Sequence, residues 1–194
     1  MNAARPAVEV SVVRTLDQLP QVYALRGIVY MGEQDCPFEE EFDGNDLSGA
    51  THLVARIGRE PVGAMRIRWF AEFAKLERAA VLRRYRESGV AHALWSASAA
   101  IAARKGYRQI LGHIEPRLLG FWERCAGFRL REGRAPFRFS DREYVEVVAE
   151  LPACADAVTL NAPPLVLLRP EGAWDVAGVL DESAARDARM RGAA

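Results

Sequence analysis

The stretch from Val81 to Trp95, VLRRYRESGVAHALW, holds residues whose types and spacing could do chemistry. Arg86, Glu87, Ser88, Gly89, Val90 and Ala91 form a corner between an apolar run and a helical pattern, with small residues at 88, 89 and 91. A strand that enters a helix through such a corner leaves several backbone N–H groups aimed at one place, and the helix dipole adds positive potential there. Those are the makings of an anion site, although the same corner would also serve as a plain turn with only water at its helix start. Arg78, Arg83, Arg84 and Arg86 crowd the same stretch. Lys plus Arg and Asp plus Glu each count 26, so the chain has no global field to draw a polyanion. A local basic patch in a neutral chain points to a small anionic ligand, with a solvated strand end as the plainer reading.

The bulk numbers narrow the classes further. At 194 residues, half of them hydrophobic, the chain can bury a sizeable core as one domain with an appendage. Neutral charge argues against nucleic acid and membrane surfaces as partners. Cys36, Cys125 and Cys154 are widely spaced and form no C-x-x-C pair, which argues against a disulfide framework and a zinc site and fits a reducing cytosol. The N-terminal MNAARPAVEV lacks the apolar segment of a signal peptide, and the longest apolar runs fall short of a membrane span. The expectation is a soluble cytoplasmic protein without a metal.

The elements that must position the corner follow from periodicity. VEVSVV alternates as a strand, and LPQVYALRGIVYMGEQ carries helical spacing at Val22, Leu25 and Val29. DCPFEEEFDGNDLSGA is acidic, turn-rich and predicted as loop. THLVARI and VGAMRIRWF, joined by GREP, read as a hairpin, and FAKLERAAVL is a further strand with Lys75 and Glu77 on one face. A helix over Gly89 to Lys105 is stopped by Gly106. YRQILGHI is a strand, Pro116 opens a second helix RLLGFWERCA, and GFRLRE with REYVEVVAEL reads as an antiparallel pair. The order is β-α-β-β-β-α-β-α-β-β, a mixed α/β sheet. The expected organisation is a domain over 1–151 and an extension over 152–194, with an extra strand within PPLVLLRPEGAWDVAGVL and a frayed end from Asp181.

VLRRYRESGVAHAL resembles the acyl-CoA motif of the GNAT superfamily of N-acetyltransferases, Arg/Gln-x-x-Gly-x-Gly/Ala, here Arg86, Gly89 and Ala91. LRGIVYMGEQDCPFEEEFDGND, THLVARIGREPVGAMRIR and KLERAAVLRRYRESGV together resemble the small ElaA-type branch. FWERCAGFRLRE is similar to the aromatic pair and Gly-Phe segment after the fifth strand. The resemblance runs from about Ala24 to Leu151. It implies a mostly antiparallel sheet with a V-shaped splay between strands 4 and 5 and helices on both faces. It also implies acetyl-CoA or another acyl-CoA as co-substrate in that gap, with the pyrophosphate on residues 86–91 and the pantetheine arm along Ala79, Ala80 and Val81. A bulge at Val81 would turn that amide toward the developing oxyanion.

Amide formation also needs a base for the amine proton and a proton for the leaving thiolate. Glu77 is the first candidate base, with an ion pair to Arg66 or Arg68 as its structural alternative. His113 and Glu115, at the end of the fifth strand, are the others. Relatives commonly place a Tyr before the Gly-Phe segment as general acid. Trp122 stands there instead, and an indole N–H has no useful acidity. Tyr144 is a further phenol that the sequence does not place. Arg26-x-x-x-Tyr30 and Asp43-x-x-Asp46 are spacings shared with acyl-homoserine-lactone synthases and with the ElaA-type branch. For that spacing the plainer reading is an Arg26–carboxylate pair that fixes the acidic loop. Glu39, Glu40, Glu41 and Asp43 are expected to form an acceptor wall for a cationic amine, with a solvated loop as the alternative. The expectation is an N-acyltransferase acting on a small-molecule primary amine. The alternatives are a longer-chain enzyme making an N-acyl amino acid or lactone signal from CoA or acyl carrier protein, and a silent acyl-CoA sensor. The tail strand could pair with a second protomer as a homodimer.

Overall fold

The computed structural model describes residues 7–192; the outermost residues of the two expected units lie outside that range. β1 (Val8–Val12) leads to α1 (Leu19–Arg26), a π-helical turn at Gly27–Met31, α2 (Gly32–Gln34) and α3 (Phe38–Glu41). β2 (Thr51–Ile57), β3 (Glu60–Trp69) and β4 (Ala74–Val81) follow, then α4 (Val90–Arg104) and β5 (Gln109–Ile114). α5 (Leu119–Ala126), β6 (Arg129–Leu130), β7 (Phe137–Phe139) and β8 (Arg142–Glu150) complete the sheet, and α6 (Pro164–Leu168) and α7 (Val179–Gly192) end the chain. The sheet order is β1-β2-β3-β4-β5-β8-β6, with β7 also on β8. Every pairing is antiparallel except β4 with β5.

The parallel pair is short and diverges. Register runs only from Ala74 opposite Ile110 to Leu76 opposite Gly112, while β4 continues to Val81 and β5 to Ile114. Beyond that point the two strands no longer pair with each other, which opens the expected V. α4 covers one face through Val90, Leu94, Ile101 and Ala102 in the main core, and α1 covers the other through Val22 and Leu25 against Val54 and Ala64. Gly63 on β3 lets α4 lie this close, since a Cβ there would stand 2.7 Å from Val90 Cγ1. Placing α4 against the sheet places its N-terminus at the open end of the gap.

Four local expectations are corrected. The acidic stretch is not plain loop: it holds α3 and a 3-10 turn at Asn45–Leu47. The connection before β8 contains β7, joined by a turn in which Ser140 and Asp141 both have positive φ (48° and 55°). Paired positive φ is the geometry of a tight hairpin turn, and here it is made without the glycine that would advertise it.

The tail forms no strand among the described residues; Pro163 and Pro164 start α6, where proline suits a first helical turn and cannot feed a sheet ladder. The expected fray from Asp181 is helix α7. The tail packs on the end of the sheet away from the gap. There Glu171 accepts from Thr51 Oγ1 at 3.0 Å and pairs with Lys105 Nζ at 2.8 Å. Among the described residues no helix is long and apolar enough to cross a membrane.

Candidate acyl-donor site

A cavity of about 740 Å³ lies at the diverging end of β4, beside the start of α4. One wall is β4 and the following turn, the second is α5, and the third is the π turn with α2. Ala79, Val81, Arg86, Glu87, Gly89 and Ala91 of the sequence-derived donor set line it. The other three face elsewhere. Ala80 and Val90 lie in the core, at 0% and 1% exposure, and Ser88 Oγ donates to the Tyr85 carbonyl at 2.6 Å. Gly89 is the residue before α4 and has φ 91°, a conformation that suits glycine alone. No side chain caps α4, so its first N–H groups remain for a ligand.

The kink in β4 lies earlier than expected. Ala64 faces Ala80 and Arg66 faces Glu77, so Met65 stands opposite both Arg78 and Ala79. That is a bulge at 78–79 rather than at Val81, and Arg78 takes a φ of 52° to make it. Tyr30 holds the bulge by donating to the Ala79 carbonyl at 2.9 Å. Its hydroxyl is deeply buried, and burial raises its pKa far above the phenol range. Past the bulge, Leu82 N–H bonds the Val62 carbonyl, so by strand alternation Val81 turns its amide and carbonyl away from β3 into the gap. The carbonyl is taken by Arg86 Nε at 3.2 Å. A strand-like ligand laid along β4 would meet those two groups, as the pantetheine reading requires.

The cavity lining contains Arg83, Arg86, Arg117, Arg124 and Arg142 against two carboxylates, Glu33 and Glu87. These residues fit a diphosphate donor: a surplus of guanidinium groups and an uncapped helix start share one cavity. Sequence reasoning passed over Arg117, Arg124, Arg142 and Glu33, because their meeting depends on how α5, β8 and α2 converge. Periodicity along the chain says nothing of that convergence.

The candidate bases stand apart from the lining. Glu77 Oε2 accepts from Arg66 Nη2 at 2.6 Å, and Oε1 lies 2.6 Å from Lys75 Nζ. Burial pushes its carboxyl up, but Lys75 and Arg66 together outweigh burial and hold it below the usual range. The Arg66 pairing weighed from sequence is therefore present. His113 follows Gly112 as Glu77 follows Leu76, so the two occupy equivalent positions where the strands part. Burial, with Lys75 adding, lowers the His113 pKa and keeps the imidazole neutral near pH 7; its Nε2 is buried without a hydrogen-bond partner. Glu115 is clasped by Arg117 through two bonds of 2.9 Å and by Arg142 at 3.3 Å. Its partners line the cavity and it does not.

Trp122 is 9% exposed and packs edge-on against Phe128. Tyr144 stacks on Phe139 at 3.9 Å between ring centroids.

Three of the four expected acceptor-wall acids, Glu40, Glu41 and Asp43, are spent on the fold, and Glu39 is exposed. Arg26 and Glu41 are both fully buried, 2.5 Å apart, and Arg26 also reaches Asp46 at 2.6 Å. Arg66 Nη1 bonds Asp46 at 2.9 Å, and Asp43 pairs with Arg66 at 2.8 Å and with Arg78 at 3.1 Å. Glu40 accepts from Ser140 Oγ, and its carbonyl accepts from Arg78 at 2.6 Å. Burial pushes Asp43 up, but hydrogen bonds from Arg66 and the Asn45 amide hold it well below the carboxylate range. This is the Arg26–carboxylate clamp, extended across α1, α3, β3 and β4.

Comparison with known proteins agrees with this geometry. Residues 19–128 match the model of the acetyltransferase (GNAT) family. The uncharacterized N-acetyltransferase YjcF of Bacillus subtilis is 30% identical over 119 residues, 61% of this chain and 84% of that protein. Escherichia coli ElaA superposes with a TM-score of 0.64 at 20% identity, over 73% of this chain and 99% of that one. FeeM, an N-acyl amino acid synthase from uncultured soil microbes, gives 0.65 at 13% identity, over 76% of this chain and 92% of that one. The splayed β4–β5 pair, the uncapped α4 and the matched span together mean that the chain belongs to the GNAT family of acetyltransferases and is an acyl-CoA-dependent N-acyltransferase.

Proposed function

We propose that the chain transfers an acyl group, most simply acetyl, from acyl-CoA to a primary amine of a small molecule by direct attack in a ternary complex. The carrying observation is the cradle: Gly89 at φ 91° before an uncapped helix, inside a cavity whose lining arginines outnumber its carboxylates. The diphosphate sits on the amides that open α4, with Arg83 and Arg86 beside it. The pantetheine arm adds to β4 through Val81, and the Val81 amide meets the charge that develops on the thioester oxygen. Residues 1–151 are the catalytic domain in this reading, and the extension that begins at 152 braces the far end of the sheet through Glu171.

For the amine proton, His113 is the better base of the pair at the splay. Its imidazole is neutral and Nε2 makes no hydrogen bond, with Glu146 Oε1 3.8 Å away, whereas both Glu77 oxygens are held by cations. It works through water, because it does not line the cavity. CoA needs no dedicated acid, since a free thiol ionises near pH 8.5 and leaves as thiolate. Because the lowered pKa of His113 sets the acid limb, kcat/KM rises with pH through a point below 6.5 and then levels. His113→Gln removes that limb and lowers kcat; an unchanged pH profile in the variant would remove His113 from the mechanism.

A longer donor chain is the second reading, favoured by the apolar lining at Val29, Leu118, Phe121 and Trp122. FeeM, of the same fold, makes N-acyl amino acids by its name. Thermal unfolding with CoA, acetyl-CoA and longer acyl-CoAs decides. All donors are compared at one fixed concentration, at which a donor present at about 100 times its Kd should stabilise by about 2.7 kcal/mol. The greatest shift with acetyl-CoA supports acetyl transfer, and a shift that grows with chain length supports the second reading. No shift with any donor overturns the cradle. Binding without CoA release over an amine panel leaves an acyl-CoA sensor.

A further inference from the structure

Glu33 is the one partly buried carboxylate in the cavity wall; Glu87, the other lining carboxylate, is exposed. It lies on α2, beside Val29 and Gln34 and across from the α5 wall. A single oxygen, Oε2, takes Arg86 Nη2 at 2.7 Å and Arg83 Nη2 at 3.5 Å. Its side chain is 16% exposed, whereas those of the two arginines are 43% and 78% exposed. Arg86 spends its Nε on the Val81 carbonyl, so one guanidinium covers both Glu33 and the edge of β4. Arg83 and Arg86 both lie in the chain that leads from β4 to α4, and the acids of the neighbouring clamp, Glu41, Asp43 and Asp46, are already held by Arg26, Arg66 and Arg78.

We propose that Glu33 is a masked acceptor subsite: the phosphates of the donor draw Arg83 and Arg86 away from it, and the bared carboxylate then receives the ammonium group of a small cationic amine. The proposal rests on reading the turn at 86–91 as the phosphate cradle. Three consequences follow from one exchange. The Val81 carbonyl is released to the donor's pantetheine arm. A carboxylate with little solvent around it loses its counter-charge, a state that burial makes unfavourable until another cation arrives. The donor therefore binds first, and the two ligands favour each other by the same factor in either order of measurement. The masked form also keeps cationic amines from the site while no donor is present.

Calorimetric titration of the whole chain tests this, with CoA and 1,4-diaminobutane as probes. CoA binds Glu33→Gln about three- to tenfold more tightly than wild type, because its phosphates no longer compete with a carboxylate for Arg83 and Arg86. Equal or weaker CoA binding in the variant overturns the exchange. In wild type, saturating CoA raises the affinity for 1,4-diaminobutane about tenfold or more, within the usual range of coupling between sites. In Glu33→Gln that enhancement disappears. An enhancement that survives in the variant, or an amine that binds no better with CoA than without it, overturns the acceptor role. Failure of wild type to bind CoA at all is a separate result, and removes the cradle reading beneath the proposal.

Discussion

Two arginine-rich regions sit on either side of β4 and use their charges differently. In the clamp, Arg26 and Arg66 are 0% and 1% exposed, and Glu41, Asp43, Asp46 and Glu77 answer them from α3, the following loop and β4 itself. In the cradle, Arg83 and Arg86 are largely solvated and share one oxygen of Glu33. Matched charges with no water cannot exchange partners cheaply, so they fix geometry; unmatched, hydrated ones can exchange, so they bind. Arg78 joins the two regions, because it is the bulged residue of β4 and is anchored to Glu41 and Asp43.

The largest effect should come from breaking the clamp. Arg26→Met leaves Glu41 and Asp46 without a buried partner and should cost about 3–5 kcal/mol by urea unfolding. A cost below about 1 kcal/mol would mean that the clamp is no tighter than the cradle. Acid comes next. Asp43, Asp46 and Glu77 are held below their unfolded pKa values, so the stability they contribute is complete above about pH 4 and is lost as pH falls through the lower folded values. The urea midpoint should be level across neutral pH and drop below about pH 4, and a midpoint that keeps falling from pH 7 would point to other groups.

On the cradle side, Gly89→Val forces a branched residue to φ 91° and costs about 1–2 kcal/mol of stability, while CoA affinity falls tenfold or more. Loss of stability with unchanged affinity would detach Gly89 from the donor. Last, Glu171→Gln lies at the closed end of the sheet. It should cost about 1 kcal/mol and leave CoA affinity unchanged, checked by thermal unfolding with and without CoA.

How far the sequence revealed these regions depends on whether a feature is local. Gly89, the α4 stripe and the β2–β3 hairpin were legible because periodicity and a stop signal define them within a few residues. The bulge was displaced by two to three residues because it belongs to the register between β3 and β4, which neither strand carries alone. Glu41 looked like one of three surface acids in a row, and only the packing of α3 on α1 makes it a core residue. The arginines at 117, 124 and 142 have no common spacing; three separate elements bring them to one cavity. The tail read as a strand because PLVLL is apolar, but its two prolines had already favoured a helix start.

The π-helical turn at Gly27–Met31, in which the Gly32 N–H reaches back to the Gly27 carbonyl, is in effect one extra residue accommodated within a helix. Deleting a single residue there would restore ordinary helical hydrogen bonds and leave the segments on either side nearly in phase, because the wide turn already absorbs the extra residue. Adding one more residue has no such slack and would swing everything beyond it by about 100° around the axis. Tyr30 would then leave the Ala79 carbonyl and Glu33 would leave the cavity wall together. A change of length at this turn thus acts on the β4 bulge and on the cavity wall in one step, without touching the 86–91 turn. Substitutions alone would have to move those two side chains separately.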